Sequence, residues 1–75
     1  MSKRLPAVKP REVIRALEKA GWRVHRQKGS HVSMHKEGVA NLVVIPMHTR
    51  DIPKGTLRAI IEDAGLTIEQ FLEML

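Results

Sequence analysis

The sequence contains no cysteine and no tyrosine, and it has one tryptophan and one phenylalanine. Without cysteine, neither a disulfide framework nor a thiolate zinc site can form. No stretch approaches the roughly 18 consecutive apolar residues that a membrane span requires, and the basic first residues lead into no apolar signal segment. We therefore expect a cytoplasmic protein that needs no membrane, metal or other cofactor.

The chain has 75 residues, a length at which a domain buries only a thin core. We expect a single domain over residues 1–75, built from one layer of helices on one small sheet. Residues 1–8 show little periodicity and are predicted to form a flexible tail.

Positive charge is concentrated in the first half of the chain. The net charge is +5; residues 1–36 contain ten Lys and Arg against two Glu, whereas residues 37–75 contain three against six acidic residues. This asymmetry favours a polyanion or an acidic protein as the partner of the surface that the first half builds. Solubility alone would explain the charge equally well.

A helix is predicted over about residues 10–20. Pro10 suits the first turn, and Gly21 stands where a helix-ending glycine belongs. Apolar residues recur at helical spacing at Val13, Ile14, Leu17 and Ala20. The opposite side is mostly basic, which is typical of a solvated face.

Three strands are predicted after this helix. They are Trp22–Gln27, Ser30–Lys36 and Val39–Pro46. In the first, Trp22 and Val24 alternate with polar residues, as in a half-buried strand. In the second, Val32 and Met34 share one face. In the third, residues 42–45 are all apolar, so that a tail or another chain is expected to cover the second face.

Two helices complete the predicted fold. Asp51 is expected to cap the first, with Pro53 in its first turn and Gly65 after its end. Thr67 and Gln70 have the spacing of a capping box, which predicts a short last helix. That helix would bury Ile68, Phe71, Leu72 and Leu75. The fold is therefore predicted as α+β, a compact α-β-β-β-α order plus a terminal helical turn, with a three-stranded antiparallel sheet and the helices on one face.

The stretch from Arg26 to His31 combines two cations, a glycine, a hydroxyl and an imidazole between two predicted strands. Gly29 lets the backbone turn with a positive φ, and Lys28 and Arg26 can hold a phosphate. His31 is the side chain best suited to move a proton near neutral pH. The alternative is that His31 is an ordinary surface histidine on a strand.

Two other features receive a structural interpretation. Trp22 could stack on a base, but its position after Gly21 and in phase with Val24 favours core packing. His31 and His35 share a strand face, but four residues at about 3.3 Å each place them roughly 13 Å apart, too far to bind one metal ion. We therefore expect no metal site.

Several segments together resemble the HicA toxin family. They are Gly21-Trp22, Arg26-Gln27-Lys28-Gly29-Ser30-His31, Ile45-Pro46-Met47-His48, Lys54-Gly55-Thr56-Leu57 with Ile60-Ile61, and Ala64-Gly65-Leu66-Thr67 with Gln70-Phe71-Leu72. The likeness extends over nearly the whole chain from about residue 10. The combination of Gly-Ser-His with a later Gly-Thr-Leu is fairly specific.

The resemblance implies a compact domain similar to the double-stranded-RNA-binding fold, acting as a ribonuclease that cleaves mRNA. It also implies a HicB antitoxin, encoded beside it, that masks the active site. The family's catalytic histidine corresponds to His31, and its proline-spacer-histidine element corresponds to Pro46 and His48. Leu42 and Val44 depart from the expected pattern because they make the outer side of the third strand apolar. We expect these two apolar residues to affect how the protein associates, either with a second copy of the chain or in a higher complex with the antitoxin.

The residues support the same chemistry. RNA carries its own nucleophile, the 2′-hydroxyl, so cleavage needs a proton acceptor, a proton donor and stabilisation of the charged phosphorane, but no metal. We predict a metal-independent endoribonuclease with His31 as general acid or base. The predicted substrate-binding residues are Arg26, Lys28, Gly29, Ser30 and His48. A non-catalytic double-stranded-RNA-binding module and a small protein that docks an acidic partner are the alternatives.

Overall fold

The computed structural model describes residues 4–47 and 50–75. The helices and strands are α1 (Pro10–Lys19), β1 (Arg23–Lys28), β2 (His31–His35), β3 (Val43–Pro46), α2 (Lys54–Asp63) and α3 (Ile68–Met74). The predicted α+β class and the order of the elements are confirmed.

The three strands form an antiparallel sheet with β2 in the centre. One side of the sheet, which we call the inner face, carries Val32 and Met34 of β2 opposite Ile45 and Val43 of β3, and all four side chains are buried. The other side, the outer face, carries His31, Ser33 and His35 of β2 and Val44 of β3. Val44 is 47% exposed, so the helices cover the inner face alone, as predicted.

The core joins all three helices to the inner face of the sheet. Trp22, Met34 and Phe71 are fully buried, which confirms their predicted place in the core. α1 begins at Pro10 and is followed by Gly21, whose φ of 98° lets the Trp22 N–H donate to the carbonyl oxygen of Leu17. The tryptophan ring therefore enters the core directly after the helix ends.

The predicted capping box at α3 is confirmed. The Thr67 N–H donates to Oε1 of Gln70 at 2.9 Å, and the Gln70 N–H donates to Oγ1 of Thr67 at 3.1 Å. Of the four apolar residues expected to be buried by this helix, Phe71 is buried and Ile68 and Leu72 are half-buried. The expectation for Leu75 is wrong: it follows the end of α3 and is exposed.

The starts of α2 and β3 differ most from the sequence prediction, whereas the other predicted boundaries differ by one residue or less. Asp51 does not cap α2, because the residue before this helix is Pro53 and Asp51 lies two positions too early. Its carboxylate instead forms an exposed ion pair with Nζ of Lys9 at 3.5 Å. The third strand begins at Val43 rather than Val39, because the chain uses residues 37–42 to turn and return to β2.

The sequence predicts a flexible tail over residues 1–8, yet two side chains of this stretch are buried. Leu5 and Val8 join the core, and the Ile52 N–H donates to the carbonyl oxygen of Val8 at 2.9 Å. These contacts hold the described part of the stretch against the domain, although two apolar residues are too few to reveal a period in the sequence. Among the described residues, no helix is long and apolar enough to cross a membrane.

Candidate functional site

The β1–β2 hairpin places the predicted site at a tight turn. Lys28 pairs with His31 across the hairpin, so the loop consists of Gly29 and Ser30 alone. Gly29 has a φ of 58° and no residue other than glycine has a positive φ among those described, which matches a type II′ turn with glycine at its first central position. Because directly opposite residues of an antiparallel pair share a face, the side chains of Lys28 and His31 lie side by side.

A β-bulge in β1 decides which face its cations occupy. Val24 pairs with Met34 and Arg26 pairs with Ser33, so His25 is an extra residue on β1 without a counterpart on β2. Strict alternation would put Arg26 in phase with Val24, on the inner face. The bulge shifts the phase by one residue, and Arg26 follows Ser33 to the outer face.

The prediction of a half-buried strand from Trp22 and Val24 is wrong, because β1 contains a bulge and lies at the edge of the sheet. Trp22 is buried but precedes the strand, whereas all six residues of β1 are exposed. Val24 lies opposite the buried Met34, but it is 47% exposed because the helices leave this edge strand uncovered. The sequence prediction assumed that side chains alternate between the two faces along the whole strand, and the extra residue in the bulge breaks this alternation.

His31 is exposed at the start of the central strand. It stands between Lys28 of β1 on one side and Pro46 of β3 on the other. The imidazole is therefore open to a ligand on the outer face, with an ammonium group on the neighbouring strand. This is the arrangement that a phosphate next to a proton-transfer group requires.

The cations of the hairpin have no acidic residue near them in the sequence. No Asp or Glu occurs between Glu18 and Glu37. The ion pair found among the described residues joins Lys9 to Asp51, which precede α1 and α2 and lie outside the hairpin. The positive charge of Arg26 and Lys28 is therefore available to an anionic ligand.

Two further predicted site residues, Gly29 and Ser30, form the turn itself. Gly29 and Ser30 are exposed in the loop, and the Met47 N–H donates to the carbonyl oxygen of Ser30. This hydrogen bond ties the end of β3 to the hairpin turn beside His31. His48, the last predicted substrate-binding residue, lies outside the described residues.

The outer face also contains residues that the sequence analysis did not assign to the site. Ser33 and His35 continue the line of His31 along β2, and Arg23 pairs with His35 at the far end of the hairpin. The alternation of β2 in the sequence already places Ser33 and His35 on the same face as His31, but neither was assigned a role in the site. Arg23 could not be placed without the cross-strand register, which depends on the bulge.

Two histidines meet at this far end. The ring of His25 stands edge-on to the ring of His35, with the centroids 5.4 Å apart. Within residues 4–47 and 50–75, no group of three or more His, Cys, Asp or Glu side chains converges as metal ligands would.

Comparison with known proteins identifies the family. A family model described as the HicA toxin of bacterial toxin-antitoxin systems matches residues 10–66, which span every element except α3. The chain belongs to the HicA toxin family. No curated protein matches it.

A solved structure supports the HicA assignment in three dimensions. The chain resembles a protein in a structure described as a HicA3 and HicB3 toxin-antitoxin complex, with 35% sequence identity and a TM-score of 0.67. The match covers 81% of this chain and 98% of that one. The three helices and the antiparallel sheet of this chain are therefore consistent with the HicA fold.

Proposed function

We propose that this HicA-family toxin is an endoribonuclease that cleaves mRNA in the cytoplasm without a metal ion. The observation that carries the proposal is the exposed imidazole of His31 beside Lys28 at the glycine turn. An RNA strand on the outer face can bring a phosphate to this pair without meeting a negative side chain. Residues 1–75 would act as one domain in this function.

The reaction follows from the groups present. The 2′-hydroxyl oxygen of the substrate attacks the adjacent phosphorus, its proton goes to a base, and the bond from phosphorus to the 5′ oxygen breaks as that oxygen gains a proton. The products are a 2′,3′-cyclic phosphate and a 5′-hydroxyl end. His31 accepts the first proton or donates the second, while Lys28 and Arg26 stabilise the charge on the phosphorane.

A single positioned acid or base accelerates a reaction by about 10²- to 10⁴-fold, so we expect a slow enzyme. Because His31→Ala removes this group, its rate of RNA cleavage should be at least about 100-fold lower than that of wild type. The matched control is Arg58→Ala, which removes an exposed cation from α2. Purified wild type and both variants are incubated with labelled RNA in EDTA, and the product ends are mapped. We expect cyclic phosphate ends from wild type and Arg58→Ala only.

Cleavage by His31→Ala at the wild-type rate, with its fold intact by circular dichroism, would show that another residue does the chemistry. Strict dependence on Mg²⁺ would contradict the metal-free reaction. Binding of duplex RNA without cleavage by any form would favour a double-stranded-RNA-binding module instead.

We further propose a HicB-type antitoxin as the physiological partner. The similar solved structure is described as a complex of HicA3 with HicB3. The exposed cations of the hairpin also suit an acidic protein surface. Co-expression with the product of the adjacent gene should give a complex that no longer cleaves RNA. A co-expressed neighbour that leaves cleavage unchanged would contradict this assignment.

A further inference from the structure

Three cross-strand pairs follow one another along the outer face of the hairpin. They are Lys28 with His31, Arg26 with Ser33, and Arg23 with His35. Each pair joins a cation of β1 to a polar residue of β2. Neighbouring pairs lie two β2 residues apart, about 6.6 Å at a rise of about 3.3 Å per residue. This spacing is close to that of successive phosphates along an extended RNA strand.

The bulge makes this arrangement possible. In a regular strand, Arg23 and Arg26 would point to opposite faces, because they lie an odd number of positions apart. The extra residue, His25, brings both to the outer face together with Lys28. His25 also contacts the ring of His35 and thereby supports the last pair of the series.

The other side of the outer face is apolar. Val44 pairs with Ser33 and Pro46 pairs with His31, so β3 extends two of the three pairs with apolar side chains. Val44 is 47% exposed, and Leu42, just before the strand, is 45% exposed. The outer face thus changes from cationic on β1 to apolar on β3 within the width of three strands.

A surface that is cationic on one side and apolar on the other suits single-stranded RNA better than double-stranded RNA. A duplex presents phosphates and sugars and keeps its base faces stacked inside. A single strand has phosphates along one side and unstacked bases along the other, so it can contact cations and apolar side chains at once. The single tryptophan and phenylalanine are both buried, so the apolar contacts that the outer face offers to the bases come from the side chains of β3.

We propose that the outer face binds single-stranded RNA along the hairpin, with phosphates over β1 and bases against Val44 and Pro46. Arg23 and His35 hold the phosphate two positions away from the one that His31 cleaves. This inference deepens the proposed ribonuclease function and rests on it for the position of the cleaved bond. The binding surface itself is argued from the register, the bulge and the exposed apolar residues.

The test measures RNA affinity separately from cleavage. The full-length His31→Ala protein is titrated against 5′-labelled oligouridylates of two to ten nucleotides, by fluorescence anisotropy at several salt concentrations. We expect affinity to rise steeply up to about four nucleotides, the length that supplies three phosphates, and slowly beyond it. A hairpin duplex of equal charge should compete poorly. Tighter binding of the duplex would overturn the proposal.

Variants test the two sides of the surface. Adding Arg23→Ala to the His31→Ala protein should lower its affinity for RNA about three- to tenfold. It should also reduce the slope of log K against log salt by about 0.7, the value for one phosphate contact on a single strand. Adding Val44→Ser should lower the affinity about two- to fivefold without changing that slope. Arg58→Ala is the control for a cation on the helical side. An Arg23→Ala affinity equal to that of Arg58→Ala would overturn the proposal.

The outcomes separate this inference from the proposed function. If Arg23→Ala weakens binding as expected but wild type cleaves no RNA, the binding surface stands and the ribonuclease assignment falls. If wild type cleaves and Arg23→Ala leaves both affinity and KM unchanged, the ribonuclease stands and the binding surface falls. If Arg23→Ala and Val44→Ser weaken only the complex with a co-expressed antitoxin, the outer face is a protein interface and the proposal is wrong.

Discussion

The two faces of the sheet are made from the same strands and differ most on the central strand and β3. There the inner face is apolar and closed by helices, whereas the outer face presents His31, Ser33, His35 and Val44, beside the cations of β1. On β2, residues of the inner face alternate with residues of the outer face: Met34 is fully buried and its neighbour His35 is exposed. A chain of this length therefore obtains its stability from one face and leaves the other free for binding. Substitutions on the two faces should separate these roles.

The largest effect on stability is expected at Met34. Met34→Ala should lower the free energy of unfolding by about 2–5 kcal/mol, because it leaves a cavity in the core, and Met34→Leu, which keeps the volume, by less than about 1.5 kcal/mol. Ser33→Ala, one residue away on the outer face, should stay within about 0.5 kcal/mol of wild type. Urea unfolding followed by the fluorescence of the single tryptophan measures all three. Equal losses at both positions would remove the distinction between the faces.

A second matched pair lies on β3. Val43 is fully buried and Val44 is 47% exposed, although both are valines in adjacent positions. Val43→Thr should cost about 1–3 kcal/mol, because it buries a hydroxyl in an apolar core. Val44→Thr should change stability by less than about 0.5 kcal/mol. A large loss for Val44→Thr in the same urea titration would mean that part of the chain covers the outer face in solution.

The turn between the two strands gives an intermediate effect. Gly29 has a positive φ but open space where a Cβ would lie, so Gly29→Ala should cost about 1–2 kcal/mol through backbone conformation alone. Thermal unfolding measures this loss, and RNA cleavage is measured at a temperature where the variant is fully folded. Activity that falls with the protein fully folded assigns Gly29 to the site as well as to the turn. Unchanged activity would limit its role to the turn.

The smallest effect is expected in the helical layer. Gly55 lies in the first turn of α2, has no positive φ, and a Cβ there would meet no atom within 4 Å. Gly55→Ala should therefore stabilise the protein by about 0.5 kcal/mol by lowering the entropy of the unfolded chain. Differential scanning calorimetry should show a small rise in Tm. A fall in Tm would show that the helix start needs the freedom of glycine.

The sequence is most informative where burial imposes a strict period. Val32 and Met34 predict the inner face of β2, and the Thr67–Gln70 spacing predicts the start of α3, because the alternation of a strand and the spacing of a capping box are both visible among residues close in the chain. The turn at Gly29 is predictable for the same reason. These local features are enough to place His31 on an exposed strand face from the order of the residues alone.

The errors arise where the fold depends on partners distant in the sequence. The bulge at His25 becomes visible only when β1 is paired with β2, and without it Arg26 and Lys28 fall in the wrong phase. Asp51 has the chemistry of a cap but joins Lys9, which is 42 positions earlier in the numbering of the chain. Leu5 and Val8 are too few to produce a period, yet the core binds both.

The edge position of β1 has a consequence for the solubility of the toxin. An open strand edge invites pairing with another chain, and cationic side chains together with a bulge are common means of preventing it. In β1, Arg23, Arg26 and Lys28 would serve this purpose in addition to the RNA contacts proposed for them. Replacing these cations with neutral residues would therefore leave the edge of β1 free to pair with another chain. Variants designed to lose RNA binding at these positions should consequently aggregate more readily than wild type.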